Sequence, residues 1–297
     1  MGTAMPFLLG VDLGGTSVKL GICDGRGRVR DSRSIPTRPR RGPKAVVADI
    51  AAAARTLEGF ESARACGIGA PGPLDLRRTR ILVAPNLGWK NVPLPRLLEA
   101  QLGRPVRLEN DANGAAFAEW AVGAGKGTSS LALYTLGTGV GGGLVLDGRL
   151  WTGAAGGAAE FGHVQIDPRG PACACGRRGC LEAFASATAV TRAAGTRSAE
   201  EAFESRSPRA RKAVESAVAA LGAAIAGVFN VLQPERFVIS GGMAEAGAGF
   251  LERVRRAARE RVFGAYRKNL VIVRGLLGND AGWIGGALLA NEGRGRK

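Results

Sequence analysis

Glu160-Phe161-Gly162-His163 and Cys173-Ala174-Cys175-Gly176-Arg177-Arg178-Gly179-Cys180-Leu181-Glu182 hold the only histidine of the chain and three of its five cysteines, with a glutamate on each flank. One imidazole and three thiolates complete a tetrahedral Zn²⁺ site, and four protein ligands leave no position open for water. Such a site is structural. His163, Cys173, Cys175 and Cys180 are therefore candidate metal ligands, and a zinc-pinned loop carrying Glu160 and Glu182 could hold a polar ligand in fixed register. Three neighbouring cysteines can also be small core residues or form a disulfide. Cys173 and Cys175, two apart within glycine-rich chain, fit poorly with a buried stripe.

Two other segments have the composition of an anion cradle. Asp12-Leu13-Gly14-Gly15-Thr16-Ser17-Val18-Lys19-Leu20-Gly21-Ile22 aligns without gaps on Thr135-Leu136-Gly137-Thr138-Gly139-Val140-Gly141-Gly142-Gly143-Leu144-Val145. Each reads as strand, Gly-Thr turn, strand. Glycine lets backbone N–H groups approach phosphate oxygens, and concave runs of N–H bind anions; threonine hydroxyls add donors. Either hairpin alone is equally readable as a tight turn and nothing more. Gly137 to Gly142 also matches G-x-G-x-x-G formally, but a dinucleotide site needs a helix directly after it, and a strand follows here. Gly125-Lys126 lacks the Ser or Thr of a P-loop at its next position, Gly127.

In Glu109-Asn110-Asp111-Ala112-Asn113, Asp111 stands between a strand and a helix. An aspartate at such a junction is most often a helix N-cap. It is also at the C-terminal end of a strand, where open α/β sheets bind ligands, and there a carboxylate can act as general base for a hydroxyl nucleophile.

The elements that must position these residues alternate. Phe7 to Asp12, Val18 to Cys23 and Arg28 to Ile35 read as strands joined by glycine turns. Pro43 to Glu58 reads as a helix, Ala65 to Gly69 as a strand, Pro93 to Leu102 as a helix, Val106 to Glu109 as a strand and Ala112 to Val122 as a helix. A second cycle has strands Leu131 to Leu136 and Gly142 to Leu146, the cysteine loop, and helices Leu181 to Ala194 and Arg209 to Leu232. Strand Phe237 to Ser240, helix Ala248 to Val262, strand Leu270 to Val273 and helix Asp280 to Ala290 complete it. This predicts an α/β protein in two related lobes.

Composition narrows the classes. The chain has 297 residues, 45% hydrophobic and 22% charged, enough for two domains. Glycine or charge interrupts every apolar run, so no membrane span is expected. The N-terminus lacks the basic and apolar regions of a secretory signal, and Pro6 speaks against myristoylation. Cys23 and Cys66 are expected as free thiols in a reducing cytoplasm. The net charge of +16 invites a nucleic-acid reading. The arginines are dispersed, however, with short clusters at Arg38 to Arg41, Arg206 to Lys212 and Arg253 to Arg261. Aromatics are 5% and do not interleave with them, so no base-stacking platform is evident. No helix-turn-helix precedes the first strand. Attraction for anionic ligands is expected; specific nucleic-acid binding is not.

Taken together the motifs resemble the ROK family of bacterial sugar kinases and related repressors, and the resemblance spans nearly the whole chain. It rests on Asp12 to Lys19, Gly69-Ala70-Pro71-Gly72-Pro73, Asn86, Glu109 to Asn113, Gly137 to Gly143, Gly153 to His163, Cys173 to Glu182 and Ser240-Gly241-Gly242. The glutamate–histidine–cysteine spacing is its specific part. The resemblance implies a two-lobed actin/hexokinase-like (ribonuclease H-like) fold with a duplicated sheet core and an active-site cleft between the lobes. The lobes expected are 1–112, with a C-terminal helix at 280–297 packing back on it, and 113–279, with the zinc loop.

It further implies that Asp111 takes the proton from a sugar 6-hydroxyl. Asn110, Glu160, His163 and Glu182 would bind the other hydroxyls, with Gly69, Pro71, Gly72 and Asn86 shaping the pocket. His163 would put one nitrogen on zinc and offer the other to the sugar. Gly14, Gly15, Thr16, Lys19, Gly137, Thr138 and Gly139 would hold the phosphates of ATP, Asp12 would lie near Mg²⁺ through water, and Gly241 and Gly242 against adenosine. Position 159 is alanine where relatives often carry glycine. The chain has no room for the repressors' DNA-binding domain, and polyphosphate-using relatives generally lack the zinc segment. The expectation is a cytoplasmic, ATP-dependent glucokinase of carbohydrate metabolism and glycolysis, a homodimer or homotetramer. The alternatives are a kinase for N-acetylmannosamine, fructose or another hexose, and a catalytically silent sugar sensor.

Overall fold

The computed structural model describes residues 6–245 and 249–292. In it β1 (Phe7–Leu13), β2 (Ser17–Asp24) and β3 (Val29–Pro36) form an antiparallel meander. Helix α1 (Pro43–Arg55) follows, and β4 (Ala63–Ala70) then enters parallel to β1 on its other side. A small hairpin of β5 (Ile81–Ala84) and β6 (Trp89–Val92) and helix α2 (Leu94–Leu102) lead to β7 (Val106–Asn110), parallel to β4, and on into α3 (Asp111–Ala121). The sheet order is β3-β2-β1-β4-β7. Its central strands are apolar on both faces because both are covered. Val46, Ile50 and Leu98 of α1 and α2 fill one side. On the other lie α3 and the C-terminal helix Ala281–Glu292. That helix touches the strands through backbone: a Cβ on Gly67 would come within 1.7 Å of the Gly286 carbonyl oxygen.

The second unit repeats the plan. Strands β8 (Leu131–Leu136), β9 (Val140–Leu146) and β10 (Arg149–Leu150) form the meander; β11 (Arg236–Ser240) and β12 (Ile272–Arg274) add in parallel, giving the order β10-β9-β8-β11-β12. Between β10 and β11 run the cysteine loop, α4 (Glu182–Ala185), α5 (Ala187–Ala194), α6 (Ala199–Glu204) and α7 (Pro208–Leu232); α8 (Gly242–Glu245) and α9 (Phe250–Arg259) follow β11. The gap-free alignment of the two hairpins thus falls on β1–β2 and β8–β9, strand on strand and turn on turn.

Several boundaries differ from expectation. Helix α1 stops at Arg55, not Glu58, because Gly59 turns left-handed (φ 90°) and starts a 3₁₀ turn. The helix expected over 181–194 is broken at Ser186, whose extended backbone ends α4 and whose hydroxyl caps α5 by accepting from Ala189 N–H. Helix α6 and the β5–β6 hairpin were not anticipated, each being too short to show a period. Helix α9 begins at Phe250; the expected start, Ala248, and the tail beyond 292 lie outside the described residues. Helix α7 carries the expected glycine interruptions, Gly222 and Gly227. By length and composition it could cross a membrane, yet Val214, Leu221, Ile225 and Phe229 belong to the core of the second unit.

By backbone contacts the chain divides into Met1–Gly123 with Thr152–Ala158 and Asn279–Lys297, and Ala124–Trp151 with Ala159–Gly278. The first unit therefore runs past the expected division at 112–113. That division would cut α3, whose Gly114 carbonyl lies against Gly285 of the C-terminal helix.

Candidate active site and metal centre

In the first unit the sheet register gathers the predicted residues. Asp12 pairs with Gly69 across β1–β4, and Gly69 with Glu109 across β4–β7. Asp12, Gly69 and Glu109 thus form a row at the C-terminal ends of parallel strands, with Asn110 and Asp111 one step beyond. Asn110, not Asp111, is the N-cap of α3: its Oδ1 accepts from the N–H of Ala112 (3.0 Å) and of Asn113 (3.2 Å). That leaves the Asn110 amide N–H₂ as the end of the side chain not used by the cap. Asp111 is the first helical residue, and its Oδ1 accepts from Ala112 N–H at 2.8 Å. Gly69 packs beneath it, since a Cβ there would meet Asp111 Cα at 3.3 Å. Pro71 and Gly72 turn the chain out of β4; Gly72 (φ 85°) passes so close to the Val83 carbonyl that a side chain is excluded.

The first glycine turn is closed by Gly14 N–H to Ser17 O (3.0 Å) and held by buried Thr37, whose hydroxyl donates to Gly14 O (2.7 Å) and whose N–H donates to Thr16 O (2.9 Å). Asn86, in the 3₁₀ turn Pro85–Leu87, lies against Gly15. Lys19 faces Asp12 across the hairpin. Burial pushes the Asp12 carboxyl up to about 6, and the Lys19 ammonium opposes that rise.

One residue that the sequence did not single out ties this region together. Arg78, left-handed at φ 55°, sets its guanidinium on Glu109: Nη2 lies 3.1 Å from Oε1 and Nε 3.3 Å from Oε2. The same Nη2 donates to the Gly156 carbonyl at 3.0 Å. Glu109 Oε1 also accepts from Asn110 N–H (2.9 Å) and Asn113 Nδ2 (3.1 Å). A partly buried, two-pronged ion pair therefore braces the junction that carries Asp111.

In the second unit His163 closes the 3₁₀ turn Phe161–His163, and Glu160 precedes that turn with its side chain exposed. The ligand atoms of His163, Cys173, Cys175 and Cys180 all lie within 4.8 Å of one another. His163 Nδ1 is 3.8 Å from Cys173 Sγ, and Cys175 Sγ is 3.6 Å from Cys180 Sγ. Four bonds of zinc length at tetrahedral angles put neighbouring sulfurs about 3.8 Å apart; the donor set fits that ion in number, chemistry and spacing. With Nδ1 towards the cysteines, Nε2 points to the opposite side of the ring. No disulfide is present among the described cysteines, and Cys23 and Cys66 are buried thiols, pushed up to about 12 chiefly by burial. Ala159, the departure noted before Glu160, has φ 64°, a conformation suited to glycine.

The second glycine turn closes by Gly137 N–H to Gly139 O at 3.0 Å. Glu182 reaches it: Oε2 accepts from Val140 N–H at 3.0 Å, and a Cβ on Gly139 would sit 2.5 Å from that oxygen, so a side chain there would push the carboxylate aside. Beside the turn lies a cavity of about 630 Å³ lined by Gly137, Thr138, Thr188, Arg192, Gly242 and Met243, of a size suited to a small molecule. Gly241 (φ 92°) brings β11 against the Leu136 carbonyl, so that Gly242 borders the same cavity. Thr37, Arg78 and Thr188 are the residues sequence reasoning missed. Each acts through a partner far away in the chain, and no local pattern marks it.

The ROK family model matches residues 8–293. The glucokinase of Streptomyces coelicolor is 35% identical, over 97% of this chain and 98% of its own. Among solved structures, a ROK hexokinase from Thermus thermophilus superposes with TM-score 0.87 at 38% identity, covering 97% of this chain and 98% of that one. A ROK-family glucokinase from Streptomyces griseus, in complex with glucose and AMPPNP, gives 0.85 at 33% identity, covering 96% and 99%. Duplicated mixed sheets, two glycine turns, the Asp111 junction and the His-Cys₃ cluster occur here in one chain of matching length, and the chain belongs to the ROK family.

Proposed function

We infer that this protein is an ATP-dependent hexose kinase and that its acceptor is the 6-hydroxyl of glucose. The observation that carries the reading is the placement of Asp111: the cap of α3 is supplied by Asn110, and Asp111 follows the C-terminal end of β7, just beyond the strand-end row of Asp12, Gly69 and Glu109. An alcohol is a weak nucleophile, and a carboxylate base within reach of it contributes roughly 10²–10⁴-fold. Phosphoryl transfer otherwise needs in-line positioning and charge stabilisation. The turns at Gly14-Gly15-Thr16 and Gly137-Thr138-Gly139 offer backbone N–H groups and hydroxyls to the phosphates, with Lys19 adding charge; Gly242 borders the cavity we assign to adenosine, and Gly241 turns the chain towards it. Mg²⁺, held through water near Asp12, would offset charge on the phosphates when bound.

Asn110, Glu160, His163 and Glu182 bind the remaining sugar hydroxyls, with Gly69, Pro71, Gly72 and Asn86 shaping the pocket. His163, Cys173, Cys175 and Cys180 hold the zinc, leaving His163 Nε2 to the sugar. The identity to the Streptomyces coelicolor glucokinase supports glucose as the first acceptor to test.

The test is ADP release with MgATP across glucose, N-acetylmannosamine, fructose and mannose. Glucose is expected to give the highest kcat/KM, and Asp111→Ala to lose turnover while still binding sugar. Full activity in Asp111→Ala removes it as the base. A higher kcat/KM for N-acetylmannosamine or fructose reassigns the acceptor. Glucose binding without turnover on any sugar makes the protein a sensor.

A further inference from the structure

The two glycine turns are held in different ways. The first is tied by Thr37, on the chain just after β3 in its own unit. The second is tied three times to a single short segment. Val140 N–H donates to Glu182 Oε2 (3.0 Å), Ala187 N–H to the Gly137 carbonyl (2.8 Å) and Thr188 Oγ1 to the Thr138 carbonyl (2.8 Å). That segment begins two residues after the candidate metal ligand Cys180, and Cys173 Sγ lies 3.9 Å from Glu182 Oε1.

Peptide geometry gives these ties a consequence. In a trans peptide the C=O and the following N–H point in opposite directions. Drawing the carbonyls of Gly137 and Thr138 onto the start of α5 therefore turns the N–H groups of Thr138 and Gly139 the other way, as donors for an anion.

We propose that Glu182 and Thr188 are positioning residues for the phosphate donor, so that the loop ordered by the His163–Cys173–Cys175–Cys180 cluster governs nucleotide affinity as well as sugar binding. This rests on the kinase reading above. Glu182 then faces two ways: it is assigned to the sugar, and it fixes the turn for the nucleotide. Thr188 has no assigned part in sugar binding, which makes it the cleaner probe.

Binding of MgADP to the metal-loaded protein, measured by calorimetry without sugar, tests the proposal alongside glucose binding followed by tryptophan fluorescence. Thr188→Val keeps the side-chain shape and removes the hydroxyl donor. The loss of one hydrogen bond predicts an MgADP Kd raised about five-fold with glucose affinity unchanged. Glu182→Ala should weaken both ligands, whereas Glu182→Gln, which keeps an acceptor for Val140 N–H, should restore MgADP affinity. Removing the metal with a chelator should raise amide hydrogen exchange over residues 137–140. An MgADP Kd within two-fold of wild type in both Thr188→Val and Glu182→Ala overturns the proposal. If the wild-type protein binds no MgADP, the kinase reading fails. The positioning claim is then decided by exchange alone: protection at 137–140 unchanged by chelation and by Thr188→Val overturns it.

Discussion

Replacing Arg78 by methionine should cost the fold about 3–5 kcal/mol, the range for removing one partner of a buried ion pair. The charge left behind is the buried one: the Glu109 side chain is 5% exposed, and that of Arg78 is half-buried at 16%. Methionine fills much of the volume but takes away both guanidinium contacts. Glu109 Oε1 keeps its donors from Asn110 N–H and Asn113 Nδ2, while Oε2 loses the Arg78 Nε that approached it at 3.3 Å. A carboxylate left in that setting has lost its counter-charge and cannot recover it from water. The bond to Gly156 goes as well, which adds about 1 kcal/mol. The double variant Arg78→Met/Glu109→Gln has no buried charge, so it should be more stable than Arg78→Met alone, with a coupling energy of about 1–3 kcal/mol. Urea titrations followed by tryptophan emission suit this unit, which contains Trp89, Trp120 and Trp283. Because the pair braces Asn110 and Asp111, kcat should fall in both variants even where stability returns. A cost under about 1 kcal/mol for Arg78→Met, the range of exposed pairs, would refute the reasoning; so would simple additivity in the double variant.

Three further outcomes are expected. Asp12 titrates near 3.8 when unfolded and at about 6 when folded, so the native state holds this proton more tightly. Stability is therefore lost as pH rises between those values, by up to about 3 kcal/mol. Asp12→Asn should unfold at higher temperature than wild type at pH 8 but not at pH 4, while losing turnover; an equal offset at both pH values contradicts this. Ala159→Gly relieves a left-handed alanine and should gain up to about 1 kcal/mol after the extra freedom of glycine in the unfolded chain is subtracted; a lower melting temperature would show that no strain resides there. Cys175→Ala removes an exposed ligand from a chain with large independent cores, so zinc content should drop and the glucose KM rise with little change in far-UV circular dichroism. Stoichiometric zinc in that variant would contradict the ligand set.

The features legible in the sequence are those carried by local spacing. The two Gly-Thr hairpins could be aligned because a glycine turn between apolar strands is written in consecutive residues, and the sheets confirm the match. The His-Cys₃ cluster was legible for a similar reason: one histidine and three cysteines stand within a single loop, so little long-range folding is needed to bring them together. The position of Asp111 at a strand–helix junction was readable too. Whether it or Asn110 made the cap was not, because both side chains can accept the same backbone N–H groups. Folding decided in favour of Asn110.

What only tertiary structure decided are the braces behind these motifs. Arg78 finds Glu109 from 31 residues away, and Thr188 finds Thr138 from 50. An arginine in a turn and a threonine at the start of a short helix look like ordinary surface residues until the chain folds. The composition of α7, long and apolar, was likewise ambiguous until α5, α6 and α9 were seen packed against it. Sequence determined which groups exist and which are neighbours along the backbone. The orientation of a peptide N–H, the partner of a buried charge and the face a helix covers depend on contacts between distant segments, and those are fixed only when the cores close.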